Sequence, residues 1–332
     1  MCFGSDNPTE LNNSMNTRKA LKAACLTAGL MILLFFTACG DGNHGKQTDT
    51  PTSGQMKVGI DDSYRLLLDT EIYTFETFYK YSKLDTIYGN EETIFDLFMK
   101  DSVPLIIVNR KLTAEEEKYL NSRQFIPKTT LIAYDGVVFI VNHENSDTNL
   151  FYDKIQGMFR GEVKTWKEVN PKSKLADIKV VFDNYKSGNP RYFREKFSLS
   201  KLPESCFAVN SNAQVISFVE KNKNAIGIIS VNWISDTEDT VSNNFLRRVK
   251  VVGVSTPGNN EPGASFYKPY QAYIAQGDYP FTRNVYCINR QTYRGLAYGL
   301  SSFIAGEKGQ LIILRSGMVP AAMPVRLVEI KH

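Results

Sequence analysis

Ser187, Gly188 and Asn189 lie between a short apolar run at residues 178–182 and a helix-like segment at 191–197, in which Phe193 and Phe197 share one face. A helix start leaves backbone N–H groups free and carries the positive end of the helix dipole. A hydroxyl, an amide and a glycine that admits close backbone approach make such a start a cradle for an anion. The same residues also serve as a plain helix cap, the common use of Ser and Asn at that position. The order strand, polar turn, helix occurs again at residues 56–60, at Asp61-Asp62-Ser63 and at 64–81, so Ser63 is a second candidate donor or a second cap. A further strand at 105–108 delivers Asn109 and Arg110 at its C-terminal end. A guanidinium there suits an oxyanion, or equally a neighbouring carboxylate.

Residues for other chemistry are missing. His44, His143 and His332 are the only histidines, and none is paired at metal-ligand spacing. Glycine fingerprints for dinucleotides, the P-loop and a nucleophile elbow are absent. Ser198-Leu199-Ser200-Lys201 matches S-x-x-K, but no K-T-G follows it. The expectation is therefore binding without reaction: no catalytic residue, no metal and no cofactor.

These turns need a scaffold, and the chain alternates strands with helices. Helices are expected at 92–100, from Thr113, at 149–160, 165–169, 211–221, 292–305 and 309–316. Strands are expected at 131–142, 225–231 and 284–288, the first broken at Asp135-Gly136. Such alternation implies an α/β fold with mainly parallel sheets. The segment before it reads differently. Arg18, Lys19 and Lys22 form a basic patch at the start of a stretch, 21–36, that is apolar apart from Lys22, Thr27 and Gly29 and leads into Thr37-Ala38-Cys39. That stretch is short for a membrane span and fits a lipoprotein signal peptide over residues 1–38, with Cys39 carrying lipid. Translation could start at Met1 or at Met15. Residues 39–55 have almost no large apolar side chain and read as a flexible tether.

The full chain has 332 residues, 42% of them apolar, and a formal net charge of +4. Removing 1–38 takes away three basic and two acidic residues and leaves +3, too mild to indicate nucleic acid. Cys206 and Cys287 then remain in a disulfide-permissive compartment, either as two buried thiols or as a bridge.

Several segments, in order, resemble the PstS phosphate-binding family of bacterial solute-binding proteins. The residues are Asn109-Arg110 with Thr113 and Glu116, the strand from Asp135-Gly136 to Asn142, the segment from Ile155 to Trp166, Ala225-Ile226-Gly227-Ile228, Tyr279-Pro280-Phe281-Thr282-Arg283, and Gly309-Gln310 with Gly317-Met318-Val319-Pro320. The resemblance implies a two-lobed periplasmic-binding-protein type II fold with crossing hinge strands. Lobe 1 would comprise 56–137 and 281–332, and lobe 2 would comprise 138–280. It implies that Ser187-Gly188-Asn189 stands for the family's S-G-T phosphate loop and that Ser63 matches the serine of the first loop. It further implies a monomer in the periplasm, lipid-anchored to the membrane, that passes inorganic phosphate or a similar oxyanion to an ABC permease. One departure stands out: Asp183 occupies the position where the family often has an arginine. That change also suits an alternative, a two-lobed lipoprotein acting as an interaction or sensing module without tight ligand binding.

Overall fold

The computed structural model describes residues 49–234 and 244–323. The expected signal peptide, Cys39 and most of the expected tether lie outside the described residues. Strands β1 (Ser53–Asp61), β2 (Tyr81–Gly89) and β3 (Leu105–Val108) alternate with helices α1 (Arg65–Phe78), α2 (Glu91–Met99) and α3 (Ala114–Ser122). The long strand β4 (Lys128–Asn142) follows, then β5 (Asn149–Leu150), α4 (Tyr152–Arg160), α5 (Trp166–Val169), β6 (Lys179–Phe182) and α6 (Gly188–Lys196). Next come β7 (Cys206–Ala208), α7 (Asn212–Lys221), β8 (Ala225–Ser230), β9 (Val249–Val251), β10 (Gly253–Val254) and α8 (Gln271–Gln276). The described chain closes with β11 (Thr282–Asn289), α9 (Leu296–Ala305), α10 (Glu307–Arg315) and β12 (Val319–Pro320).

The main path of the sheet runs β2-β1-β3-β11-β4-β8-β6-β7. It divides into two groups of parallel strands, β2-β1-β3 and β8-β6-β7, joined by antiparallel β11 and β4. The N-terminal half of β4 pairs with β11 and β12, and its C-terminal half with β8 and β9. At 15 residues, or about 50 Å, β4 is long enough to belong to both groups. The result is a mixed α/β fold of two lobes. The expectation of mainly parallel sheets holds within each lobe and fails where the chain crosses between them, because a strand shared by two lobes enters the second one antiparallel.

Three apolar cores hold the layers. One spans a face of the whole sheet, from Leu68 and Phe75 through Val138 to Val215 and Trp233. A second, rich in aromatics, packs Phe139, Phe159, Phe193 and Phe281 under α4 and α6. The rings of Phe159 and Phe193 stack at 4.0 Å. The third lies beneath α2, around Ile94, Phe95, Phe98 and Ile106. Asp49 binds the start of α9, accepting from the Leu296 amide at 2.6 Å and from the Tyr293 hydroxyl at 2.7 Å. The chain therefore enters the fold on the lobe that carries β1.

Several local expectations change. The helix expected to run to residue 81 stops at Phe78, and β2 follows it. Tyr79 and Tyr81 continue the aromatic pattern of α1, which hides an edge strand made of Ser, Lys, Asp and Thr. Asp135-Gly136 does not break β4; the irregularity lies earlier in the same strand, at Ile132, the extra residue where Val285 of β11 pairs with Ala133 and Tyr286 with Leu131. Gly136 packs closely instead: a Cβ there would sit 2.9 Å from Ile274 Cδ1, which would have to shift. Cys206 and Cys287 are free and buried.

Candidate functional site

The start of α6 faces the loops that follow β1, β2 and β3, with β4, β8 and β11 behind. Ser187 caps α6, with its Oγ accepting from the Asn189 amide at 3.4 Å. The helix begins at Gly188, three residues earlier than expected, because Pro190 is accommodated within the first turn, where a missing N–H costs nothing. The Ser187 hydroxyl donates to Asp183 Oδ1 at 2.7 Å, and Asn189 Nδ2 donates to the same oxygen at 2.8 Å. The two loop donors are thus turned onto the protein's own carboxylate.

From Asn189 a continuous hydrogen-bond seam leads across to the first lobe. Arg283, at the start of β11, donates from Nη1 to Asn189 Oδ1 at 2.8 Å and from Nε to Asp135 Oδ2 at 2.9 Å. Asp135 Oδ1 accepts from the Ser230 hydroxyl at 2.7 Å and the Val231 amide at 3.2 Å. Asn232 Nδ2 donates to Ser230 Oγ at 2.5 Å and to the Ser63 carbonyl at 2.8 Å, and Trp233 Nε1 reaches that carbonyl at 2.9 Å. The Ser63 amide donates to Asp61 Oδ1 at 2.9 Å, and Asn109 Nδ2 donates to Asp61 Oδ2 at 3.1 Å. Asn109 Oδ1 accepts from Arg191 on α6. Arg191 also clasps Glu91 at the start of α2, with bonds of 2.6 and 2.9 Å. At the rim, Lys186 Nζ lies 3.0 Å from Glu92 Oε1, and the Glu92 amide donates to the Lys186 carbonyl at 3.3 Å. Gly188 packs so tightly on Asn109 that a Cβ would lie 2.7 Å from its Cγ.

Of the residues singled out in the sequence, Ser63, Asn109, Ser187, Gly188 and Asn189 meet in this seam. Arg110 borders it: its Nε is 3.8 Å from Glu91 Oε1, and its guanidinium lies over the Phe95 ring. The guanidinium pairs with both oxygens of Glu116, at 2.7 and 2.9 Å. Burial opposes the charge of Glu116, but Arg110 and the Thr113 amide hold its carboxyl below the usual range.

The seam is densely charged and buried. Asp61, Glu91, Asp135, Asp183, Arg283 and the side chain of Arg191 are all largely removed from solvent. Burial pushes the Asp61 carboxyl up to about 7, reinforced by Glu91 and Asp183 and opposed by Arg283. Asp135 and Asp183 are raised as well, by burial in each case; Arg283 opposes the shift at Asp135, and the bonds from Asn189 and Ser187 oppose it at Asp183. Burial works against the charge on Arg283, but Tyr64, Asp135 and Asp61 outweigh it and keep the guanidinium protonated. Four buried polar atoms here have no hydrogen-bond partner among the described residues: Ser63 Oγ, Tyr64 Oη, Asn232 Oδ1 and Arg283 Nη2. Buried polar atoms normally find partners, so such a cluster calls for a polar occupant. No group of His, Cys, Asp and Glu among the described residues could hold a metal ion.

Sequence reasoning gave no role to Arg283, Asp61, Glu91, Asp135 or Asn232. Arg283 and Asp135 stood in segments quoted for other reasons. Their signal was a charge set inside an otherwise apolar strand, which burial makes costly unless it is paired.

Two α/β lobes exchanging antiparallel strands, with a polar seam at the carboxyl ends of their strands, define the architecture of a bilobal binding protein. A family model described as PBP superfamily domain matches residues 45–308, and the chain belongs to that family. It is similar to the phosphate-binding protein PstS of Staphylococcus saprophyticus, at 26% identity over 196 residues, covering 58% of this chain and 56% of that one. The match to PstS of Staphylococcus aureus USA300 is 25% over 226 residues, covering 68% and 67%. Among solved structures, a phosphate ABC transporter substrate-binding protein with bound phosphate from Clostridium perfringens superposes with TM-score 0.67 at 20% identity, over 81% of this chain and 100% of that one.

Proposed function

We propose that this chain is the solute-binding protein of an ABC importer, and that it holds phosphate or a related protonated oxyanion in the seam between its lobes. The carrying observation is the pair of unpartnered buried donors, Ser63 Oγ and Arg283 Nη2, linked by one hydrogen-bond network to the start of α6. Relatives named as phosphate-binding proteins support the reading. Ser63, Asn109 and Arg110 would contribute from one lobe, and Ser187, Gly188 and Asn189 from the other. Arg283 would supply the cation where Asp183 replaces the arginine of the resembling family. The bounds 56–137 with 281–332, and 138–280, would then move as two bodies that hinge on the crossing strands. Asp61 and Asp183 constrain the ligand. A fully ionised anion can only accept hydrogen bonds and is repelled by carboxylates, whereas a protonated one can donate to them.

Calorimetric titration of phosphate and sulfate tests this. Phosphate should bind and sulfate should bind more weakly. Ser63→Ala should weaken phosphate roughly ten- to a hundredfold, the cost of losing one donor to a charged ligand, and Ser187→Ala, whose hydroxyl Asp183 takes, should lose about tenfold or less. Arg110→Ala, whose guanidinium Glu116 shares, should lose about tenfold or less. No heat with either anion would replace the reading with an interaction or sensing module that keeps the scaffold.

The same reading places the protein at the cell envelope, anchored through lipid on Cys39. One acyl chain holds a membrane only marginally, while several hold firmly. Cys39→Ser should leave the precursor unprocessed or move the protein out of the membrane fraction. Normal cleavage with unchanged membrane retention would refute the anchor. Among the described residues, no helix is long and apolar enough to cross a membrane.

A further inference from the structure

A cavity of about 430 Å³ opens between α1 and α10, on the lobe that carries β1. Its walls are apolar: Leu67 and Phe78 on one side, Leu311 and Ile312 on the other. Phe78 and Leu311 are exposed at 52% and 41%, unusual for large apolar side chains on neighbouring helices. The charged residues lining it are Lys308 and Arg315, both on the exposed side of α10, and no carboxylate is among the described residues of the lining. Lys308 Nζ lies 3.4 Å from the centre of the Phe78 ring, so one ammonium and one ring edge the opening together.

The lining also includes Asn232, which is 1% exposed. Its Nδ2 is committed to Ser230 Oγ and the Ser63 carbonyl, on the side of the seam. Its Oδ1 has no partner among the described residues. The size falls within the range of small-molecule sites, which are mostly apolar with a few placed polar groups.

We infer that this cavity is a second ligand site, separate from the seam, for a small apolar organic acid or sulfonate. The hydrocarbon part would lie between Leu67, Phe78, Leu311 and Ile312, and the anionic head would meet Lys308 and Arg315. Asn232 also holds the Ser63 carbonyl, so the two sites share one side chain.

The fluorescent probe anilinonaphthalene sulfonate should bind the mature protein saturably at one site. Octanoate should displace it roughly tenfold better than octanol, a difference that reads the rim charge. Thr74→Trp, which fills the cavity, and Arg315→Glu, an exposed change that reverses the rim, should each weaken the probe about tenfold or more. Non-saturable binding, or a probe indifferent to both variants, would overturn the site. Equal displacement by octanol, or a probe that ignores Arg315→Glu, would overturn the anionic class.

Discussion

Gly188→Val should leave both lobes folded and prevent them from closing. Gly188 opens α6 and faces Asn109 across the seam. A Cβ at this position would overlap the Asn109 amide, at 2.7 Å from Cγ, and valine adds two methyl groups beyond it. Asn109 cannot swing away cheaply. Asp61 holds its Nδ2 and Arg191 holds its Oδ1, and the side chain is 7% exposed. The strain is relieved by separating the lobes, which also breaks the Arg191–Glu91 clasp. Closure is what would bring Ser63 and the α6 start onto one ligand, so phosphate affinity should fall by more than about a hundredfold, roughly 3 kcal/mol. Solution scattering should show a larger radius of gyration than wild type. An unchanged radius together with unchanged affinity would mean that the seam in this closed form is not the ligand site. Unfolding of the variant would be seen by circular dichroism; the smaller Gly188→Ala, which meets the same Asn109 atoms, then takes its place.

The residues that meet in the seam were legible where local rules govern them. A serine before a helix, and a glycine where backbones approach, announce themselves by spacing. What spacing did not reveal was where the donors point. Ser187 and Asn189 were read as facing outward to an anion, and they face Asp183, four and six residues away in the chain. The cation was sought at Arg110, close in sequence to a candidate loop. Arg110 is engaged by Glu116, and Arg191 by Glu91 and Glu195. Arg283 reaches Asn189 from 94 residues downstream, because β11 returns to pair with β4. Partners of that kind depend on topology, and no local window contains them. The α/β class and its two-lobed form were readable because strand and helix periodicities survive substitution. β2 was missed because an edge strand tolerates polar residues on both faces.

Glu71→Leu should stabilise the protein, and by an amount that depends on pH. Glu71 lies on the inward stripe of α1, four residues from Leu67 and from Phe75, among the residues that pack against the main core. It is fully buried, and neither carboxylate oxygen has a hydrogen-bond partner among the described residues. Burial alone pushes its carboxyl from 4.5 up to about 9. The sign follows from proton counts. Between those two values the native state keeps the proton and the unfolded chain has lost it, so stability falls as pH rises. The slope is about 1.4 kcal/mol per pH unit across that window, and this group contributes none below it or above it. At neutral pH the accumulated cost is roughly 3 kcal/mol, a sizeable part of a typical folding free energy. Leucine has similar volume, removes the ionisation and leaves no bare oxygens. Denaturant midpoints should rise for Glu71→Leu at pH 7 and converge toward wild type near pH 5, apart from the smaller penalty of an unpaired neutral carboxyl. Glu71→Gln separates the two effects: it removes the share of the pH slope that Glu71 contributes, Asp61 and the other raised carboxyls keeping theirs, but keeps an unpaired polar group in the core. A loss of stability on Glu71→Leu at pH 7 would mean that Glu71 is ionised and partnered. Its place in the core would then have to be explained by whatever pairs with it, not by the cost of burying it alone.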